Sequence, residues 1–504
     1  MDDLTIASIY KELKKYSDKD SGAYTKADNS IVEIIDTPRM WGVPFKNKSD
    51  IENKGTEAKD TINNIITFII KNAVSNIDIV SLAPPTGIFL DTIIDELTER
   101  FEGEHSISLV RFLFGYLPGG EDTVLKFRNH LAGKLKKYDK QTLDLYVGRV
   151  HGGERGGGWG PLSPWNHAKI VTADGRYALA GGHNLWPNNY SDYPPVHDIS
   201  LFIRGEGAVA AQNFANFLWT LPGTKPVTGR PKWTRYYKYD FINGIFPGDN
   251  SIKNKRWETA KPKIAVVETE SELKAYKGVD EYTTEGIPVL GVGRYSSVDK
   301  DIQNHAGKKT STGYASPSEK VKELVIKTAT NRLYICQQDI VFLGAAGIKS
   351  HNVVKWIVES LYTNKTLVVK IVISSKNAKS KDGAQYSWGS GALGTYKIIY
   401  DVICEKYKSS KENILARLHV APFCFTNVNI SRAGAGYSWD KTDKYSGKQA
   451  QFSTKVPMPK LYTSGYPEPA NHSKYYMGVC NDGTAVYYVG SDNLYPHDLF
   501  EFGY

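Results

Sequence analysis

Residues 165–184 read WNHAKIVTADGRYALAGGHN, and this stretch decides how the rest of the chain is read. Two apolar runs, 168–172 and 177–180, flank Asp174-Gly175. Asp-Gly between such runs is a hairpin signal, because both residues tolerate the positive φ of a tight turn. His167 and Lys169 stand two apart, so they share one face of the first strand. The returning strand ends in Gly181-Gly182, followed by Asn184. The hairpin therefore gathers an imidazole, an ammonium and a carboxamide at one spot. That set suits an anion or a phosphate, with the glycines leaving room for a substrate.

The device recurs at 471–493, NHSKYYMGVCNDGTAVYYVGSDN. Asn-His-x-Lys appears again, then a turn at Asn481-Asp482-Gly483, then Gly490-Ser491 and Asn493. Two copies of one unusual hairpin are an internal repeat. The second copy carries Val479 where the first has Asp174, and it runs 18 residues from His472 to Gly490 against 14 from His167 to Gly181. Two extra residues on each strand would preserve the facing, because strand period is two.

Outward from the first hairpin, the apolar pattern alternates between elements. Ile62, Ile65, Ile66, Ile69 and Ile70 have helical spacing. Residues 77–82 read as a buried strand halted by Pro84-Pro85, 88–101 as a helix, and 107–114 and 143–150 as strands. A glycine-rich loop at 151–164 forms either a plain connection or a mobile mouth over the site. Residues 196–201 fit a strand and 208–219 a helix. Residues 1–57 read as an irregular lead-in, and the join between halves falls near 255. The pattern then restarts, with a capping box at Ser316-Pro317-Ser318-Glu319. Strands follow at 333–336, 367–373 and 418–423, with a helix at 396–407. A long loop, about 425–470, delivers the second hairpin. Alternating strands and helices imply sheets covered by helices, here in two halves, 1–255 and 256–504.

Composition narrows the classes. The chain has 504 residues, enough for two large fused halves. No apolar run is long enough for a membrane span, and the polar start MDDLTIASIYKELKK has no signal-peptide pattern. Lys and Arg exceed Asp and Glu by nine, an excess that either attracts phosphate-bearing surfaces or, spread over so long a chain, is simply a mildly basic surface. Cys336, Cys404, Cys424 and Cys480 show no zinc spacing. Cys336 and Cys404 lie in apolar segments and read as buried thiols.

Two facing histidines and two facing lysines suit displacement at a phosphodiester. One imidazole attacks phosphorus, and the other handles the protons. Lysines and asparagines stabilise charge on the non-bridging oxygens, so neither a metal nor another cofactor is needed. Each histidine requires an acceptor on its far nitrogen. Asp198 in VHDIS and Glu501 in NLYPHDLFEFGY stand at comparable points after the two hairpins.

HxKxxxxD followed by GG or GS and Asn resembles the signature of the phospholipase D superfamily. SLAPPTG, WNHAK, GGHNLW, PVHDIS, ICQQD and GSDNLYPHDLFEFGY resemble, in order, segments of its secreted streptomycete-type bacterial branch. The resemblance implies two fused α/β/α sandwich lobes related by a pseudo-twofold axis, with one active site at their interface. It implies hydrolysis of the head-group ester of phosphatidylcholine-like lipids and head-group exchange with alcohols. His167 would be the nucleophile and His472 the general acid/base, with Lys169, Asn184, Lys474 and Asn493 binding phosphate. Asp174, Gly181, Gly182, Gly490, Ser491, Trp165 and Trp186 complete the motifs. The expected partner is a phospholipid membrane surface, engaged peripherally by a monomer with no obligate nucleic acid. Secretion follows from the resemblance, while the missing signal and the cysteine pattern leave a cytoplasmic location open. The alternative functions are another phosphodiesterase of the superfamily, such as a nuclease, and an inactive lipid-binding member.

Overall fold

The structure is a computed structural model describing residues 4–16, 24–40, 43, 45–103, 107–115, 121–150, 165–219, 234–247, 286–294, 309–310, 313–314, 317–340, 351–375, 378–379, 391–423, 468–494 and 501–504. The glycine-rich loop 151–164, the join near 255, Cys424, Ser316 and most of the loop 425–470 lie outside them.

The expected irregular lead-in is instead ordered as α1 (Ile6–Tyr16), β1 (Tyr24–Thr37) and the first turns of α2 (Lys48–Lys71). The start of α2 is fixed by a capping box, Asn47 accepting from the Asp50 amide at 3.1 Å and Asp50 from the Asn47 amide at 3.2 Å. Such a cap is worth about 1 kcal/mol. Next come β2 (Asn76–Ser81), α3 (Gly87–Glu102), β3 (Leu109–Phe114), α4 (Glu121–Leu135) and β4 (Asp144–Val150). The sequence reading passes over α4, although its buried residues Val124, Phe127, Leu131 and Leu135 carry helical spacing.

β5 (Trp165–Asn166) enters the first hairpin, built from β6 (Ile170–Ala173) and β7 (Tyr177–Gly181). Then come α5 (Asn188–Ser191), β8 (Val196–Gly205), α6 (Ala208–Trp219), β9 (Thr234–Lys238), β10 (Ile287–Val292) and a small ribbon, β11 (Lys309–Thr310) with β12 (Gly313–Tyr314). Beyond it the order is α7 (Pro317–Thr328), β13 (Arg332–Gln337), α8 (Asn352–Thr363), β14 (Val368–Ile373), β15 (Ala378–Lys379), α9 (Gly391–Lys406), α10 (Lys411–Leu415) and β16 (Leu418–Pro422). α8 is a second helix that the sequence reading omits. β17 (Glu468–Asn471) leads into the second hairpin, β18 (Lys474–Val479) and β19 (Ala485–Val489), and β20 (Glu501–Phe502) follows.

The chain is a mixed α/β fold, and the repeat extends from the hairpins to whole sheets. The run β4-β3-β2-β6-β7 in the larger sheet matches β16-β14-β13-β18-β19 in the second. In each, three strands are parallel and the hairpin adds two antiparallel strands. β2, β3 and β4 are almost wholly buried, as expected for parallel strands covered on both faces. α2 packs Ile62, Ile65, Ile66, Ile69 and Ile70 onto one face of this sheet, each fully buried. Each such side chain contributes roughly 1.5–3 kcal/mol of transfer free energy. On the other face, α6 belongs to a core that also takes in α7, α8 and the second sheet. β1 and β10 extend the larger sheet beyond β8, so a strand from after position 255 joins the sheet of the first half. Among the described residues no helix is long and apolar enough to cross a membrane.

Candidate active site

The two hairpins meet through exchanged strands. β17, which leads into His472, pairs in parallel with β8, the strand that follows the first hairpin. β5, which leads into His167, pairs in parallel with β20, the strand that follows the second. Each hairpin is thus buttressed by the strand leaving the other, and the His167 and His472 ring centres come to 6.1 Å with planes at 68°.

The first exchange sets His472. Its amide donates to the His197 carbonyl at 2.8 Å, which aligns the next residue, Asp198, with the imidazole. Nδ1 of His472 lies 2.6 Å from Asp198 Oδ2, and both residues are buried. A carboxylate only accepts, so Nδ1 carries hydrogen and Nε2 is the nitrogen that exchanges protons. His167 Nδ1 lies 2.9 Å from the Ser491 carbonyl. That oxygen also only accepts, so neutral His167 has its lone pair on Nε2, as a nucleophile requires.

Electrostatics separate the two rings. Burial, followed by the ammonium groups of Lys169 and Lys474, pushes His167 well below the usual histidine range. Burial and Lys474 likewise push His472 down to about 4, but Asp198 opposes them. Burial alone would raise Asp198, yet the charge and hydrogen bond of His472 hold it below the usual carboxylate range. Asp198 therefore remains an anion that favours imidazolium at His472 over imidazolium at His167.

Both lysines are buried and fold back onto their own histidines. Lys169 Nζ donates to the His167 carbonyl at 2.6 Å, and Lys474 Nζ donates to that of His472. Asn184 and Asn493 are buried where each hairpin returns. Asn184 Oδ1 has no hydrogen-bond partner among the described residues. A buried polar atom of this kind requires an explanation.

The glycines serve packing rather than substrate access, contrary to the sequence reading. A Cβ on Gly182 would stand 1.9 Å from Asp198 Oδ1, and one on Gly181 would stand 2.4 Å from Ser200 Cα. On Gly490 it would meet the Tyr488 hydroxyl at 2.2 Å. The space goes to β8, to Asp198 and to Tyr488.

Asp174 is an anchor outside the chemistry. Its carboxylate accepts from the amides of Val74, Ser75 and Asn76 at 2.5–2.8 Å, ahead of β2. In the second copy the Val479 carbonyl takes the Thr330 and Asn331 amides ahead of β13, at 3.2 and 2.9 Å. A main-chain oxygen at the matching position replaces the missing aspartate. Asp482 bonds only locally among the described contacts, to Thr484. The four extra residues add one per strand and two to the loop, not two per strand: β18–β19 has five paired positions against four in β6–β7. The insertion lies at the far end. The near ends agree, with Gly181 N to Lys169 O and Gly490 N to Lys474 O both at 3.2 Å.

Trp186 is half-buried and donates to the Pro84 carbonyl at 3.2 Å. Trp165 and Glu501 are paired through their backbones, and their side chains lie outside the described residues. The register places Gly503, not Glu501, at the position of Asp198. Gly182 N bonds Ile199 O in one half as Ser491 N bonds Tyr504 O in the other, and each acceptor follows by one residue. Glu501 therefore does not occupy the position equivalent to Asp198. Cys336, expected to be buried, is half-buried, as is Cys404. The Cys336 thiol sits 3.2 Å from Ser473 Oγ and is pushed up to about 11 by desolvation.

Two features escape the sequence reading. Asn166 and Asn471, the Asn of each Asn-His-x-Lys, donate to Ser81 O at 2.9 Å and Gln337 O at 2.7 Å. Each also accepts from the amide two residues on, locking its histidine's approach to the sheet. Their repetition was a visible signal. The second feature is Asp492, buried beside Arg294 and Lys322. Its partners are scattered along the chain and have no pattern in sequence.

No family model matches the chain. Over 191 residues it is 31% identical to a phospholipase D of Streptomyces antibioticus, across 37% of this chain and 32% of that protein, so the match spans about a third of the relative's length. Among solved structures, a phosphatidylserine synthase of Haemophilus influenzae Rd KW20 aligns over 99% of this chain and 85% of its own, at 12% identity and TM-score 0.44. The phospholipase D family member Nuc of Salmonella typhimurium aligns over 36% and 88%, at 10% identity and TM-score 0.23. Over part of its length the chain is thus similar to a phospholipase D, and its fold brings the two Asn-His-x-Lys hairpins together in one buried site.

Proposed function

We propose that this protein is a phospholipase D, cleaving the head-group phosphodiester of phosphatidylcholine-like lipids through a phosphohistidine and passing the phosphatidyl group to water or an alcohol. The observation that carries the reading is the unlike pair of histidines, one backed by a carbonyl and one by a carboxylate. His167 Nε2 attacks phosphorus while the bond to the head-group oxygen breaks, and His472 Nε2 gives that oxygen a proton. His472 then takes a proton from water or alcohol, whose oxygen displaces His167. A bound phosphodiester brings negative charge between the lysines. That charge favours the imidazolium form of His472 that the first step needs.

Lys169, Lys474, Asn184 and Asn493 bind the non-bridging oxygens. The unpartnered amide atom of Asn184 supports this role, since amide O and N exchange by a flip. Glu501 remains the candidate second carboxylate on the His167 side. The chemistry uses no metal and no cofactor, and the partner is a phospholipid surface met by a monomer.

The test is release of choline and phosphatidic acid from phosphatidylcholine vesicles in EDTA, with ethanol added in a parallel arm. Hydrolysis with phosphatidylethanol formation supports the reading. Activity lost in EDTA and restored by one divalent ion contradicts the metal-free mechanism. Cleavage of plasmid DNA without lipid hydrolysis assigns the site to nucleic acid.

A further inference from the structure

Asp492 lies between two working groups. On one side is Ser491, whose carbonyl holds His167 Nδ1 at 2.9 Å, and on the other is Asn493. Its own side chain is fully buried and fixed from outside the hairpin. Arg294 Nη1 meets Oδ1 at 2.7 Å, Lys322 Nζ meets Oδ2 at 2.8 Å, and the Ser318 hydroxyl donates to Oδ2. The two cations also take the Asn493 carbonyl, at 3.1 and 3.2 Å. Glu319 balances the charge, 2.7 Å from Lys322.

Arg294 reaches further through its backbone, donating to the Gly503 carbonyl at 2.8 Å and accepting from the Gly503 amide at 3.3 Å. Gly503 packs so closely that a Cβ there would stand 2.9 Å from Asp492 Cβ. The segments that end the second hairpin and run beside His167 are thus locked to one carboxylate. The matching residue in the first hairpin is His183. It uses neutral contacts, Nε2 to Thr37 Oγ1 at 3.0 Å and Nδ1 to Ser200 Oγ at 2.8 Å, and burial pushes it down to about 4. The two returns are therefore held differently, one by hydroxyls and one by a buried ionic clamp on the side of His167.

We propose that Asp492, clamped by Arg294 and Lys322, is a positioning residue for His167. It sets the Ser491 carbonyl against Nδ1, which fixes the tautomer and aim of the nucleophile, and it sets the Asn493 side chain beside it. The clamp acts on attack at phosphorus and not on proton transfer by His472, whose orienting carboxylate is Asp198 on another strand. The kinetic part rests on the reading of His167 as nucleophile. A displacement near 1 Å at such a step costs about a hundredfold.

The experiment compares wild type, Asp492→Asn and the double variant Asp492→Asn with Lys322→Met. The double variant removes one charge of each sign and restores the neutrality of the cluster. The measurements are melting temperature, the rate and KM of the p-nitrophenol burst from a p-nitrophenyl phosphodiester, the pH–rate profile of phosphatidylcholine turnover, and the His167 Nδ1–H signal in histidine-labelled protein. The expected result is a burst rate down about a hundredfold in both variants at nearly unchanged KM. The His167 signal shifts or is lost, and the double variant regains much of the melting temperature but not the rate. The alkaline limb of the pH–rate profile for phosphatidylcholine turnover, where His472 must protonate the leaving group, stays in place. A wild-type burst rate in Asp492→Asn, or rate and stability recovering together in the double variant, overturns the proposal and leaves the cluster a stability element. If wild type forms no phosphoenzyme at His167, the functional reading fails. The His167 signal then still decides the positioning role by itself: unchanged in Asp492→Asn, it refutes it.

Discussion

Asp198→Asn separates the roles of the two histidines. The carboxylate is fully buried, 2.6 Å from His472 Nδ1, and its other oxygen accepts from the Ile199 amide at 3.1 Å. The amide variant keeps the volume but removes the charge that favours imidazolium. If its NH2 faces Nδ1, the ring must also adopt the opposite tautomer. Breaking a buried charged pair costs about 3–5 kcal/mol, and each 1.36 kcal/mol of barrier is roughly tenfold in rate. Turnover of phosphatidylcholine, whose alkoxide leaving group needs a proton, should therefore fall about 10²–10⁴-fold. A p-nitrophenyl phosphodiester needs no such proton. Its burst should stay within about threefold of wild type, while the steady state after the burst becomes slow because water is no longer activated. Rapid-quench kinetics with both substrates reads all three quantities. Equal damage to the burst and to lipid turnover would refute the division of labour, as would unaltered lipid turnover.

Asp174→Ala should lower stability by about 2–4 kcal/mol, because three amides at Val74, Ser75 and Asn76 lose their acceptor. Activity per folded molecule should persist, and denaturant melts beside active-site titration check both halves of that statement. Acid should destabilise the fold between about pH 6.5 and 4. His183 and His351 are both pushed down to about 4 by burial, so the unfolded chain binds protons there that the native chain does not. Each contributes a stability gain with rising pH of roughly 1.4 kcal/mol per pH unit in that window. Urea melts at stepped pH measure the slope, and a flat profile would contradict the neutral burial of these rings.

Much of the fold was legible because its signals are local. The apolar runs that became β2, β3 and β4 are continuous because those strands are covered on both faces, and Asp174-Gly175 marks its own turn. β1 was not legible: YTKADNSIVEIIDT has no clean alternation, and the strand is held by pairing with β8 and β10, which lie far along the chain. α8 was legible in the spacing of Val353, Val354, Ile357, Val358 and Leu361, all buried. At the site, the repeat pointed to both histidines, both lysines and both asparagines, and the strand exchange brings the two copies together. The partner choices were not readable. That Asp198 serves the histidine of the other half follows from β17 pairing with β8, and the ionic clamp on Asp492 needs three separate segments to meet. The role of the glycines was misread for the same reason, since what fills the space beside Gly182 is a side chain from β8.

The most direct test is to trap the intermediate and find the atom that carries it. Wild-type protein is mixed with labelled phosphodiester, quenched at alkaline pH to preserve phosphohistidine, digested, and mapped by mass spectrometry. The label should lie on the peptide containing His167, should persist in His472→Ala with the p-nitrophenyl substrate, and should vanish in His167→Ala. A label on His472 in the wild-type protein would reverse the assignment of the two histidines, and hydrolysis with no covalent intermediate at either would contradict the mechanism.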